Sequence, residues 1–78
     1  HSRMHAYAEM ADYVAEAVGQ GKAKVAYVHA GALDEVEKLK KLVETKVSVV
    51  ETIMAELSPA LAVHTGPGTA GLCFYPVE

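Results

Sequence analysis

The 78-residue sequence predicts an α/β domain with a small sheet of about three strands, in the order α-β-α-β-α-β, and helices packed on it. Three observations predict it. Apolar residues recur at helical spacing in two stretches, short β-branched runs lie between and after them, and glycine or proline punctuates most junctions. With 51% hydrophobic and 22% charged residues the chain has enough apolar surface for a core, although at this size folding removes only about 60% of the unfolded surface from water.

Residues 4–18 place Tyr7, Met10, Val14 and Val18 on one face, with Glu9, Asp12 and Glu16 largely elsewhere, as an amphipathic helix requires. Gly19-Gln20-Gly21 ends that helix, because glycine adopts the left-handed conformation without a Cβ clash. Lys24 to His29 carries Val25, Tyr27 and Val28 between small residues and reads as a short, well-buried strand, after which Ala30-Gly31 turns the chain. From Leu33 to Glu44, Val36, Leu39, Leu42 and Val43 form an apolar stripe, while Lys38, Lys40 and Lys41 interleave with Glu35, Glu37 and Glu44 on a solvated face. Val47 to Met54 is rich in β-branched residues and predicts a second strand, with Glu51 marking a wet face.

Ser58-Pro59 is a helix start: the serine accepts from free first-turn amides, and proline at the next position loses no needed hydrogen bond. A short helix through Val63 or His64 is expected, broken by Gly66-Pro67-Gly68, and Leu72 to Tyr75 reads as a last strand stopped by Pro76. Tyr27, Phe74 and Tyr75 are assigned to core or interface. So narrow a sheet leaves an edge to pair or cover, and its helices do not shield both faces, so partner structure outside these residues is expected.

Composition narrows the function classes. The net charge of −3, with lysines and arginines scattered or confined to one helix, provides no basic field for a phosphate backbone. Cys73 is the single cysteine and lies in an apolar run, so it reads as a buried, unreactive thiol in a reducing, cytoplasmic setting. No stretch reaches the ~20 apolar residues of a membrane span, and no signal peptide is recognisable. His1 and His5 are four apart but lack a third ligand at suitable spacing, so neither metal nor cofactor is predicted. His29 ends a strand, where open α/β sheets place ligands, yet one imidazole without partners reads as a hydrogen-bonded structural residue. Met4, Met10 and Met54 adapt to irregular apolar shapes, although Met10 also belongs to the core stripe.

The most unusual segment runs from Ser58 to Thr69. It sets His64, Thr65 and Thr69 around a glycine-lined turn, an arrangement that suits a polar or anionic head group or, more plainly, caps a helix. Leu57-Ser58-Pro59-Ala60 through His64-Thr65-Gly66-Pro67-Gly68-Thr69-Ala70-Gly71-Leu72 resembles the C-terminal signature of the DegV family of bacterial fatty-acid-binding proteins. Val25-Ala26-Tyr27-Val28-His29-Ala30 and the helix to Lys46 are similar to the strand and helix before that signature, and Ser2-Arg3 falls where the family has a basic segment.

The resemblance implies a two-domain DegV-like fold in which a long-chain fatty acid lies between domains and its carboxylate is presented to a separate fatty acid kinase. Residues 1–78 would be the C-terminal lobe, with the N-terminal domain absent, and the start at His1-Ser2 rather than Met fits a fragment. It implies no catalysis by the carrier itself. His64 and Thr65 fall near the carboxylate, Gly66, Pro67 and Gly68 form the turn, Thr69 lies beside it, and Arg3 falls near the head group or the kinase-docking surface. Two other readings of the residues stand beside this one. The first is a small hydrolase or transferase using His64 with Thr65 or Thr69, for which no orienting third residue is identifiable. The second is a structural domain that self-associates, a homodimer being the simplest form.

Overall fold

The computed structural model describes residues 3–57 and 70–77. The chain runs α1 (Arg3–Val18), β1 (Lys22–His29), α2 (Leu33–Glu44), β2 (Ser48–Glu56) and β3 (Ala70–Val77). The helix expected after Ser58 lies outside the described residues.

The three strands form one mixed sheet in the order β2-β1-β3, with β1 parallel to β2 and antiparallel to β3. The parallel pair is joined through α2, the crossover that parallel strands require. Both helices cover one face. Along β1, Ala23, Val25, Tyr27 and His29 are buried while the alternate residues Lys24, Ala26 and Val28 are half-buried, so β1 is two-sided rather than buried throughout. Against the buried side pack Tyr7, Ala11 and Val14 from α1 and Val36, Leu39 and Val43 from α2.

Gly19 and Gly31 adopt φ of 67° and 61°, the left-handed conformation that closes α1 and turns β1 into α2. The Gly19 N–H donates to the Ala15 carbonyl at 2.8 Å, satisfying one of the acceptors left open at the end of α1.

Two expectations are corrected. Pro76 does not stop the last strand: β3 continues to Val77, with Pro76 opposite Ala23. Among the described residues β3 has β1 as its sole neighbour, and an edge strand has an unpaired side on which a missing N–H costs no ladder bond. Cys73 is exposed rather than buried, because its partner in register, Ala26, points to the face that carries no helix. Tyr75 is on that same open face and is 59% exposed.

β2 differs most from a core strand. Nearly every residue along it is exposed, including Val50, Ile53 and Met54, because the helices lie over β1 and β3. Its pairing with β1 shifts register between Ala23 and Lys24, which leaves Val50 as the extra residue.

Candidate functional site

One edge of the sheet collects the features that suit a ligand. β1 and β2 end there at His29 and Glu56, which face each other in register, and β3 begins there at Ala70, also opposite His29. The Leu57 N–H donates to the His29 carbonyl at 2.8 Å. The described chain therefore stops at Leu57 on one side of His29 and resumes at Ala70 on the other.

The turn after β1 is held by the His29 side chain. Its Nδ1 accepts from the Ala32 N–H at 3.0 Å, and the residue is 7% exposed. Ala30 and Ala32 are small and buried, so the chain passes close beneath the imidazole. Helix α2 starts immediately afterwards without a side-chain cap at Ala32, and its first turn carries Asp34 and Glu35.

The amino end of α1 is at this edge too. Tyr7, one turn into α1, donates from Oη to Glu35 Oε1 at 3.1 Å, while Lys46, just past α2, pairs with Asp12 further along α1. These two ties make the helices run side by side in the same direction, so both amino ends face the sheet edge at which β1 and β2 finish. Aligned peptide dipoles make such ends favourable for negative charge. The first turn of α1 holds no acidic residue and begins with Arg3, whereas Asp34 and Glu35 already offset the dipole of α2.

Away from this edge the described residues form two apolar grooves. One, of about 310 Å³, lies between α1 and β3 and is lined by Met10, Tyr13, Val14, Leu72 and Phe74, with Glu9 at its rim. Tyr13 and Phe74 meet there edge to face, with ring centroids 6.2 Å apart. The other, of about 110 Å³, lies on the open sheet face beside Ala26, Ile53, Cys73 and Tyr75. A cross-strand ladder bounds it: Lys24 pairs with Glu51 at 3.5 Å and sits 5.9 Å from the Tyr75 ring centre.

With this geometry in view, comparison with known proteins gives a consistent result. A family model described as "Uncharacterised protein, DegV family" matches residues 1–77. The chain belongs to the DegV family. A DegV domain-containing protein of Clostridium acetobutylicum is 42% identical over 48 residues, which is 62% of this chain and 17% of that protein. A second DegV domain-containing protein, from Halalkalibacterium halodurans, is 31% identical over 63 residues, covering 81% of this chain and 22% of its own length. The crystal structure of a DegV family protein from Corynebacterium glutamicum has the same fold, with a TM-score of 0.89 and 18% identity over 99% of this chain and 29% of that one. The chain thus spans about a fifth of the curated DegV relatives it matches.

Set against this DegV fold, the residues singled out by sequence divide unevenly. His64, Thr65, Gly66, Gly68 and Thr69 lie outside the described residues, although both flanks of their segment are at the His29 edge. Arg3 opens α1, and only its backbone is described. Met10 packs against the core, as its place on the apolar stripe implies, while Met4 and Met54 are exposed. Lys38 and Lys40 pair with Glu35 and Glu44 within α2, the solvated arrangement their spacing implies. The hydrogen bond to Glu35 holds the Lys38 ammonium above its ordinary pKa. Sequence reasoning missed the Tyr7–Glu35 tie, which joins positions 28 apart and leaves no periodic trace. Among the described residues no group of three metal-ligating side chains gathers, and no helix is long and apolar enough to cross a membrane.

Proposed function

We propose that these residues form the C-terminal lobe of a longer DegV protein that binds a long-chain fatty acid in the cytoplasm and presents its carboxylate to a separate fatty acid kinase, without catalysing the transfer. The single observation that carries this reading is the family match over residues 1–77, which includes the His64-Thr65-Gly66-Pro67-Gly68 turn. The sheet edge supports it. Two helix amino ends face the edge at which Leu57 and Ala70 flank the segment holding that turn, a setting that favours an anionic head group over a cationic one. The apolar groove between α1 and β3 offers a surface for an acyl chain, at about 0.8 kcal/mol per methylene removed from water.

In this reading His64 and Thr65 bind the carboxylate, with Gly66, Gly68 and Thr69 shaping the turn and Arg3 supplying positive charge near it. The remaining part of the acyl chain is covered by the N-terminal domain. Replacing His64 by Ala in the full-length chain is expected to weaken oleate binding by about tenfold or more, the scale of one hydrogen bond to a charged group, with an unchanged melting temperature. Calorimetric titration measures this, and unaltered affinity would remove His64 from the site.

A second reading has its own observation in its favour. β2 exposes Val50, Ile53 and Met54 and has a free outer edge among the described residues, as a self-associating domain would. Sedimentation of the ligand-free full-length protein separates the two, since a carrier lobe covered by its own N-terminal domain remains monomeric.

A further inference from the structure

His29 is the buried polar side chain among the described residues, and the sheet edge is built around it. Because Nδ1 accepts the Ala32 N–H, the neutral ring must carry its proton on Nε2. The tautomer is therefore fixed by the backbone. Nε2–H is left as a donor that makes no hydrogen bond to a described residue, at the point where β1 and β2 end and β3 begins. Tyr27 Oη is the one fully buried side-chain polar atom without a partner among the described residues, so Nε2 keeps contact with solvent and is open to an acceptor from outside the fold. The turn needs only an acceptor at Nδ1, and a smaller residue such as asparagine would supply that equally well.

We propose that His29 is a second anchor for the ligand's carboxylate, donating from Nε2 while the Ala32 amide holds the ring in place. The proposal deepens the fatty-acid reading and rests on it. A donor held in one tautomer binds an anionic oxygen without first reorganising, and discriminates against a cationic or purely apolar head group. Glu56 is its neighbour in register on β2 but is exposed, so water and salt screen its charge.

Two substitutions separate the two nitrogens. His29→Asn keeps an acceptor close to the Nδ1 position and removes the Nε2 donor, whereas His29→Gln keeps an amide donor close to Nε2 and removes the acceptor. Oleate titration and thermal melting of each variant in the full-length chain form the experiment. The expected result is a loss of about tenfold or more in oleate affinity for His29→Asn with little change in melting, and for His29→Gln a lower melting temperature with affinity kept within about threefold. Equal affinity of His29→Asn and the unsubstituted protein would overturn the proposal, as would equal losses in both variants, which would assign the effect to the turn. Failure of the unsubstituted protein to bind oleate would overturn the fatty-acid reading itself, and this inference with it.

Discussion

Tyr27 shows how much a single side chain can cost this core. Its ring is fully buried, and its Oη has no hydrogen-bond partner among the described residues. Burial, reinforced by the Glu44 carboxylate, pushes its pKa up to about 12 from 10.0. An orphaned buried hydroxyl is a penalty that a phenyl ring does not have, so Tyr27→Phe is expected to leave stability unchanged or raise it by about 1 kcal/mol in urea unfolding. The pH dependence has a definite sign. Below pH 10 the tyrosine is neutral in both states, but as pH rises towards 12 the unfolded chain ionises first and stability falls. Alkaline unfolding of the Tyr27→Phe variant should therefore begin at higher pH than that of the parent. The sequence made Tyr27 legible as a strand aromatic for core or interface; the missing partner depends on long-range neighbours and was not legible.

Among the elements, α2 is the most legible in the sequence, because its apolar stripe and the glycine before it mark both face and start. The structure has the same bounds, Leu33–Glu44, with Val36, Leu39 and Val43 buried. The sequence predicts too short a β3: Ala70-Gly71 and Pro76 are strand-breaking types, but at an edge the partner β1 supplies the register that local propensity does not. Gly31 turns the chain from β1 into α2 with a positive φ. An added Cβ at Gly31 meets nothing within 4 Å, so the penalty of Gly31→Ala comes from its φ of 61° alone. That strain is about 1 kcal/mol, and Gly31→Asn should lose less because asparagine tolerates the left-handed region; chemical denaturation of both variants checks the order. The site was legible only in part. The glycine-lined turn stands out as a motif, whereas the meeting of two helix amino ends at the His29 edge follows from the Tyr7 and Lys46 ties, which no local pattern encodes.

At the scale of the molecule the arrangement is one-sided: two helices protect one face over β1 and β3, while β2 and the opposite face stay open. The narrowness of the sheet predicts that asymmetry, and the matched region is only about a fifth of each curated relative's length. Under the proposed function these residues hold a fatty acid together with a further domain. Native mass spectrometry of the full-length protein purified from bacterial cells tests it most directly, because it reads the mass of the chain and of anything carried with it. The expected result is one added mass matching a long-chain fatty acid, diminished in the His64→Ala variant. A bare polypeptide mass that stays bare after incubation with oleate would contradict it.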